Sequence, residues 1–306
     1  MKIFVTGATG FVGRAFCQAA LAHGHEVLGL CLEGDTHLPE GCTPVTGSLE
    51  HFPWKEIEAF APEAALHLAW IATPGIYLTS PDNAVFVEQS KAVLAGLMDR
   101  GVRHVAGVGT CIEYAPSTQP LRETESPLAP SFPYSRAKVQ LFEWLRDECK
   151  KRATAWTWFR IFYPYGVGEH ASRLPSHIIR QLQRREYVDL RTPNSIKDYV
   201  YVSDVAEALC YGLESAIAGP INLGSGQGTS VWDLAQTIAG LLHVDPALIR
   251  AAEVPGADPT PVVVADVSRI RSTGWTPSTT LGQGLQKLIA FLSSQDRRYG
   301  HPNART

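Results

Sequence analysis

The sequence predicts an α/β fold in which a doubly wound parallel sheet carries a smaller, mostly C-terminal α/β domain. Short apolar runs alternate with longer helical patterns through the first half of the chain. The first run leads into the glycine-rich stretch GATGFVG, and from about residue 163 the pattern becomes irregular and rich in Pro and Gly. These observations indicate a regular first part and a differently built second part.

Five apolar runs are predicted as strands, because short apolar runs that alternate with helices are typical of a parallel sheet covered on both faces. They are IFV at 3–5, EVLGLCL at 26–32, ALHLAW at 65–70, HVAGVG at 104–109 and WTWFRIF at 156–162. Helices are predicted at about 11–23, 82–100, 134–150, 175–185, 203–215, 230–242 and 281–293.

Composition limits the classes of function. With 306 residues and 45% hydrophobic content the chain can bury a large core, and a net charge of −3 gives no reason to expect nucleic acid or an anionic membrane as partner. The six cysteines contain no CxxC pair and the ten histidines no HExxH motif, so neither a disulfide framework nor a metal site is predicted. No apolar run approaches membrane-spanning length and MKIFVTG enters a strand without a signal peptide, so we expect a cytoplasmic protein.

The GATGFVG stretch lies where the first strand meets the first helix. Glycines at such a turn let the backbone approach a pyrophosphate, while the helix N-terminus offers free N–H groups and the positive end of its dipole. A dinucleotide site is therefore predicted here. Its residues are Gly7, Thr9, Gly10, Phe11, Val12 and Gly13. The dinucleotide-binding domain is expected to span 1–162 plus about 196–215, and the substrate domain about 163–195 plus 216–306, with a flexible polar tail at 294–306.

The end of the second strand bears on the choice of dinucleotide. An acidic residue there favours the ribose hydroxyls of NAD, and an arginine favours the 2′-phosphate of NADP. The sequence has Cys31, Leu32 and Glu33 at this place, and Arg14 lies on the first helix. Glu33 lies far along the loop and also fits a solvated loop residue, and Arg14 could reach a 2′-phosphate although an exposed helix arginine is the commoner explanation, so both cofactors stay open.

Tyr134 and Lys138 in PYSRAK lie four residues apart at the start of a predicted helix, which Pro133 suits as first residue. A free tyrosine has a pKa of about 10 and needs a nearby cation to act as an acid or base near neutrality. Thr110 follows the fourth predicted strand, at the edge of the sheet where ligands bind. Together the three residues could serve hydride transfer to or from a carbonyl, whereas the YxxxK pattern alone also fits a solvated helix.

The sequence resembles the extended short-chain dehydrogenase/reductase family, also called the NAD-dependent epimerase/dehydratase family. The resemblance is carried by GATGFVG, HLAW, GTCIEY, PYSRAK, RIFYPYGVGE, KDYVYVSDVAEAL and INLGSG, which occur in the expected order up to about residue 245. It implies a Rossmann fold with Tyr134 as acid/base, Lys138 as its partner and Thr110 as the group that binds the reacting oxygen. Further cofactor contacts implied by it are Ser48, Leu49, Leu68, Ala69, Asn83, Tyr134, Lys138 and Tyr163.

The resemblance also implies a nucleotide-diphosphate sugar as substrate, with Thr110 at the sugar and Lys197 and Arg173 at the diphosphate. Lys197 stands where the family has the arginine of RDY, and it keeps the charge without the bidentate fork. Tyr163 replaces the usual asparagine and Ser48 an aspartate near the adenine. A surface salt bridge explains Arg173 equally well.

The reaction is narrowed by the residues that follow Thr110. Sugar 4,6-dehydratases of the family carry acidic residues there, whereas this chain has Cys111 and Ile112, and Glu113 is expected to face away. We therefore expect NAD(P)-dependent reduction of the C4 ketone of a nucleotide-activated 4-keto-6-deoxysugar in deoxysugar or polysaccharide biosynthesis, with NADP(H) slightly preferred. A nucleotide-sugar 4-epimerase, a reductase of aromatic ketones and a non-catalytic NAD(P)-binding sensor remain alternatives.

A homodimer is expected, since the predicted helices at 82–100 and 134–150 resemble the pair that forms a four-helix interface in the family. Phe142 and Leu145 lie in the apolar stripe of the second helix. The same stripe could instead face the sheet.

Overall fold

The computed structural model describes residues 1–35, 37–215, 217–252 and 258–298. Its strands are β1 (Lys2–Thr6), β2 (Glu26–Cys31), β3 (Thr43–Thr46), β4 (Ala64–His67), β5 (His104–Thr110), β6 (Ala155–Ile161), β7 (Tyr163–Tyr165), β8 (Val188–Leu190), β9 (Ile196–Lys197), β10 (Tyr199–Tyr201), β11 (Gly219–Leu223), β12 (Thr229–Ser230), β13 (Ile249–Ala251) and β14 (Val262–Val263). Its helices are α1 (Phe11–Ala22), α2 (Trp54–Phe60), α3 (Asp82–Asp99), α4 (Pro133–Arg152), α5 (Leu174–Gln183), α6 (Val202–Glu214), α7 (Val231–Leu242), α8 (Ser268–Arg271) and α9 (Leu281–Arg298).

Seven strands form the main sheet, in the order β11-β6-β5-β4-β1-β2-β3, and each neighbouring pair is parallel. The predicted doubly wound sheet is thus confirmed, and all five predicted strands belong to it. Sequence patterns missed β3, β11 and α2. In β3 only Val45 is buried, so the strand has no apolar run, and β11 opens with Gly-Pro, which is unusual in a strand interior.

Helices cover both faces of this sheet because successive strand residues point to opposite sides. Ile3 and Val5 of β1 pack with α1 and α6, whereas Phe4 packs with α3 and α4. Among the described residues no helix is both long and apolar enough to cross a bilayer.

The apolar stripe of α4 faces the sheet. Leu145 is fully buried, and the ring of Phe142 lies 5.7 Å from that of Trp158 on β6, centroid to centroid. Phe142 and Leu145 are therefore core residues, and the prediction that they lie in an outward dimer interface is wrong.

A smaller unit surrounds α5, α7 and α9, which enclose a second core together with tyrosines of β7 and β10. Its strands form small sheets in which β7 pairs with β10, β8 with β13, and β9 with both β12 and β14. β11 (Gly219–Leu223) lies in the main sheet, although its residues fall within the range 216–306 predicted for the substrate domain. Residues 294–298 of the predicted flexible tail belong to α9, and the rest of that tail lies outside the described residues.

Candidate active site

The turn between β1 and α1 requires glycine at two positions. Gly7 has φ of +68°, and a Cβ there would lie 2.7 Å from the backbone nitrogen of Ala69. A Cβ on Gly13 would lie 2.0 Å from the carbonyl oxygen of Gly7. The turn, the start of α1 and the end of β4 are thus packed backbone against backbone.

Helix α1 begins with free backbone donors. Gly10 is its N-cap and supplies no side-chain hydrogen bond, and the nitrogen of Arg14 donates to the carbonyl of Gly10 at 2.9 Å. The N–H groups of Phe11, Val12 and Gly13 precede that first helical bond and have no acceptor within the helix. They form a donor-rich terminus next to a glycine-rich turn, which fits the pyrophosphate of a dinucleotide.

A buried hydrogen-bond chain fixes the segment opposite this turn. The hydroxyl of Thr6 accepts from the nitrogen of Ala69 at 3.2 Å and lies 2.8 Å from Nδ1 of His67, whose Nε2 lies 2.8 Å from the hydroxyl of Ser90. Burial lowers the pKa of His67 to about 3, and the charge of Lys138 adds to this effect. The imidazole is therefore neutral, and Leu68 and Ala69 are held against Gly7.

An acidic side chain lies beside the glycine-rich turn, although it is not one that the sequence pattern indicated. A hydrogen bond with the side chain of Thr9, followed by one with His37, lowers the pKa of Asp35. Cys31, at the expected position, is buried, and Glu33 is exposed. The chain turns back beyond β2 and thereby brings Asp35, rather than Cys31 or Glu33, to Thr9.

The predicted adenine contacts Ser48 and Leu49 lie in the loop after β3. The hydroxyl of Ser48 accepts from the nitrogen of His51 at 2.9 Å, and Leu49 packs partly buried on the core that includes Phe4. Both residues thus have structural contacts within the chain, and their role at the cofactor remains a prediction. Arg14 lies near Gly168, 3.3 Å from where a Cβ would stand on that glycine.

Helix α4 presents Tyr134 and Lys138 on one face. Pro133 is its first residue, and the hydroxyl of Ser135 accepts from the nitrogen of Phe132 at 3.2 Å. The Nζ atom of Lys138 lies 5.9 Å from the ring centroid of Tyr134, and the lysine is 2% exposed. The predicted pair is thus brought together by the first helical turn.

The pKa values of Lys138 and Tyr134 both differ from those of the free side chains. Burial lowers the pKa of Lys138 to about 7. Burial, and next the neighbouring Tyr77, raise the pKa of Tyr134 above its ordinary 10.0, while the charge of Arg173 opposes this rise. The phenol is a proton donor at neutral pH, and it could become a base only if a further cation were bound nearby.

Thr110 lies at the carboxyl end of β5, where sequence analysis placed it. Its backbone nitrogen donates to Oε1 of Glu113 at 2.9 Å, and its hydroxyl caps the short 3₁₀ turn Cys111–Glu113. Cys111 is buried, and burial raises the pKa of its thiol to about 12. The thiol thus stays protonated and does not replace the acidic residue of a dehydratase.

Glu113 was expected to face away from the site, and it points into the core behind it. Its Oε2 lies 2.6 Å from Nε of Arg160, and its two oxygens accept from Nε1 of Trp158 at 3.2 and 3.3 Å. A Cβ on Gly109 would lie 2.0 Å from Oε1 of Glu113, so glycine is needed there. Sequence reasoning missed this supporting role, because Glu113 lies in the turn after β5 and Arg160 on β6, 47 residues later in the chain.

The candidate diphosphate residues have different surroundings. Lys197 is 7% exposed, and its Nζ donates to Oδ2 of Asp258 at 2.8 Å and to the carbonyl of Thr260. Its charge is therefore already neutralised. Arg173, the N-cap of α5, donates to the carbonyl of Pro164 at 2.8 Å and lies 5.5 Å from the ring of Phe11 at the start of α1. Arg173 thus lies beside the first residue of α1, next to the glycine-rich turn.

Asn83 and Tyr163, two further predicted cofactor contacts, lie on α3 and β7. The amide nitrogen of Asn83 donates to the carbonyls of Tyr77 and Ser80 at 2.7 and 2.9 Å. Asn83 thus fastens the loop before α3. The ring of Tyr163 lies 5.5 Å from Nζ of Lys197, and burial raises its pKa.

One group of possible metal ligands occurs among the described residues, at the far ends of α1 and α6. Oε1 of Glu214 lies 2.7 Å from Nδ1 of His23 and 2.8 Å from Nε2 of His25. The other nitrogen of His23 lies 2.9 Å from Glu207. With both ring nitrogens donating to carboxylates, His23 is an imidazolium in a hydrogen-bonded cluster.

The fold and the candidate site together indicate a class of enzyme. A glycine cradle open to a helix N-terminus, with tyrosine, lysine and threonine beyond the ends of parallel strands, is the arrangement of a dinucleotide-dependent oxidoreductase. The chain belongs to the NAD dependent epimerase/dehydratase family, whose model matches residues 3–224. The resemblance seen in the sequence is thus confirmed.

Relatives cover nearly the whole chain. The UDP-glucose 4-epimerase of Corynebacterium glutamicum is 25% identical over 96% of both chains, and that of Mycolicibacterium smegmatis is 25% identical over 97% of this chain and all of its own. A dTDP-6-deoxy-L-talose 4-dehydrogenase (NAD(+)) of Aggregatibacter actinomycetemcomitans is 24% identical over 76% of this chain and 87% of its own.

Solved structures share the fold. The UDP-glucose 4-epimerase of Thermus thermophilus, in complex with NAD, superposes with a TM-score of 0.84 at 22% identity, covering 96% of this chain and 99% of its own. The dTDP-glucose 4,6-dehydratase of Bacillus anthracis, also in complex with NAD, gives 0.83 at 19% identity, covering 97% and 98%.

Proposed function

We propose that this protein catalyses NAD-dependent hydride transfer at C4 of a nucleotide-activated sugar, and that 4-epimerisation is its reaction. The observation that carries the proposal is the proximity of Lys138 and Tyr134 on α4, which packs against β5 and the turn that begins after Thr110. Membership of the epimerase/dehydratase family and near full-length 4-epimerase relatives support it.

A bound nicotinamide would supply the hydride acceptor and donor, and the other roles fall to residues of the chain. Tyr134 moves a proton at the sugar oxygen, since its phenol is protonated when the site is free of a further cation. Thr110 donates a hydrogen bond to that oxygen as its charge changes. The ammonium of Lys138 favours the ionised phenol and can reach the nicotinamide ribose.

The cofactor in this proposal is NAD(H), where the sequence alone leaned slightly to NADP(H). The reason is Asp35, whose carboxylate is held at Thr9 of the cradle. A carboxylate can accept hydrogen bonds from ribose hydroxyls and repels a 2′-phosphate. Tight retention of NAD also suits an epimerase, which regenerates its cofactor in each cycle.

For the nucleotide diphosphate, Arg173 is the cation that we propose as the main contact. It borders the cradle through Phe11, and its guanidinium can bind phosphate oxygens with a bidentate fork. Lys197 is assigned the lesser role, because Asp258 already neutralises it. A carboxylate next to a diphosphate would also weaken binding there.

A 4-ketoreductase, the reaction that the sequence analysis placed first, is kept as the second candidate. Cys111 and Ile112 stand where a dehydratase has acidic residues, and they therefore argue against elimination of water. They do not distinguish a ketoreductase from an epimerase, because neither of these two enzymes eliminates water. The similarity to a 4-dehydrogenase of a deoxysugar favours it specifically.

The test supplies the purified protein with UDP-glucose and UDP-galactose, and separately with a dTDP-4-keto-6-deoxyhexose and NADH. We expect interconversion of the two UDP-sugars without net change in nicotinamide absorbance. Stoichiometric NADH oxidation by the keto sugar alone would replace the epimerase with the reductase. Absence of turnover in both arms would overturn the proposed function.

A further inference from the structure

Trp70 follows the HLA segment after β4 and lies directly over the ammonium of Lys138. The distance from Nζ of Lys138 to the ring centroid of Trp70 is 3.7 Å, shorter than its 5.9 Å to the ring of Tyr134. The rings of Trp70 and Tyr134 are 6.4 Å apart, with 73° between their planes. The lysine that the reaction uses is thus in face contact with an indole, next to the phenol.

The indole ring of Trp70 is held in place by residues of α3. Its Nε1 donates to Oδ1 of Asn83 at 2.8 Å, and the ring of Phe86 lies 5.6 Å away on the same helix. Asn83 is itself fastened to the carbonyls of Tyr77 and Ser80. The contact with Lys138 is therefore made by a ring whose position is set independently.

Burial makes this contact important for the charge of the lysine. At 2% exposure Lys138 has lost most of the hydration that stabilises an ammonium in water. A cation over the face of an indole is attracted by the ring quadrupole, and the attraction grows when water is excluded. A neutral amine gains no comparable attraction, so the indole face favours the ammonium over the amine.

We propose that Trp70 is a positioning residue, which keeps Lys138 charged and aligned beside Tyr134 through a cation–π contact. The proposal rests on the proposed function in one respect, that Lys138 serves Tyr134. It can nevertheless be tested on the protein without cofactor or sugar.

The measurement is the titration midpoint of Lys138. Protein labelled with ¹³C at lysine Cε is titrated by NMR, and the Lys138 signal is assigned by its loss in Lys138→Met. We expect Trp70→Leu to lower the midpoint by about one pH unit, which is the size of a buried cation–π contact expressed as a pKa shift. Trp70→Phe keeps an aromatic face and loses the hydrogen bond to Asn83. Its Lys138 titration midpoint should stay closer to that of the wild type.

Trp54 offers a matched control, because Arg100 lies 4.1 Å over its ring on the surface beside α3. Trp54→Leu should leave the Lys138 midpoint unchanged. If Trp70→Leu does not fold, incorporation of tryptophans with one, two and three fluorine atoms weakens the π face at nearly constant shape, and the midpoint should fall in steps. Equal midpoints in wild type, Trp70→Leu and the fluorinated series would overturn the proposal.

A functional readout follows if the sugar reaction is found. The pH profile of turnover for Trp70→Leu should shift in the same direction as the NMR midpoint, whereas mere loosening of the loop would lower activity equally at all pH values. Failure of the proposed function would leave the NMR result interpretable, since no substrate enters that measurement.

Discussion

Glu113 and Arg160 form a buried ion pair directly behind the candidate active site, with Oε2 2.6 Å from Nε and side-chain exposures of 0% and 1%. The same carboxylate accepts a hydrogen bond from the backbone nitrogen of Thr110, the residue that we propose binds the sugar oxygen. Arg160 also donates to the hydroxyl of Tyr114, which donates to Asn222 on β11. The pair therefore joins three neighbouring strands beneath the site.

Removal of the Glu113 side chain should be strongly destabilising. Glu113→Ala leaves Arg160 buried without its partner, and breaking such a pair from one side costs about 3–5 kcal/mol. Urea unfolding measures the change in the free energy of unfolding. Asp189→Ala, which breaks the exposed pair with Arg250, serves as control and should change stability little. If both substitutions lowered the free energy of unfolding by an equally small amount, the prediction that the buried pair stabilises the fold would be wrong.

Tyr134→Phe should preserve the fold and cofactor affinity while lowering turnover by about 10²- to 10⁴-fold, as expected for loss of a general acid. The ring that packs 4.9 Å from Tyr77 remains, so only the hydroxyl is tested. Steady-state kinetics on the active sugar and NADH titration give the two readouts. Tyr163→Phe removes a phenol beside Lys197 and should have the smaller effect. Near-normal turnover of Tyr134→Phe would show that another group supplies the proton.

Asp35→Asn should weaken the preference for NAD(H) over NADP(H). The substitution removes the negative charge beside Thr9 and keeps a side chain of nearly the same shape. We expect NADPH affinity to rise by about tenfold, the effect of roughly 1.4 kcal/mol of relieved repulsion. Glu33→Gln, on the exposed part of the same loop, is the matched control. Unchanged NADPH affinity in Asp35→Asn would show that this carboxylate does not face the ribose.

Folding stability should fall with rising pH because of His23. Burial alone would lower its pKa, but hydrogen bonds to Glu207 and Glu214 outweigh burial and raise it above 6.5. The folded state therefore binds this proton more tightly than the unfolded state. The resulting stability is fully present below about pH 6.5 and is lost as pH rises through the raised pKa. Urea midpoints at several pH values measure it, and His23→Gln should flatten this part of the profile.

The homodimer remains a prediction, and its interface must use residues other than Phe142 and Leu145. Val85 on the outer face of α3 is 53% exposed, an unusual position for a large apolar side chain. If α3 and α4 form the interface, Val85→Asp should raise the dimer dissociation constant, measured by analytical ultracentrifugation. Ile76→Asp, at a similarly exposed residue outside α3, should leave it unchanged. A wild-type monomer at micromolar concentration would remove the prediction.

Local sequence pattern was sufficient to predict much of the fold and to select the residues that we propose react. Apolar runs identified five of the seven strands in the main sheet, because a strand covered on both faces needs apolar residues throughout. The spacing of Tyr134 and Lys138 identified the pair, since a helix brings residues four apart to one face. Exposed or glycine-led strands such as β3 and β11 carry no such signal.

By itself the sequence determined the strand–helix order, the glycine cradle and the positions of Thr110, Tyr134 and Lys138, since each depends on contacts between near neighbours along the chain. Only the tertiary structure decided which residues surround each ionisable side chain. It brought Asp35 to Thr9, Asp258 to Lys197, Arg160 to Glu113 and Trp70 to Lys138. The charge state and strength of a buried ionisable group depend on neighbours contributed by distant segments, and these neighbours leave no periodic pattern in the sequence.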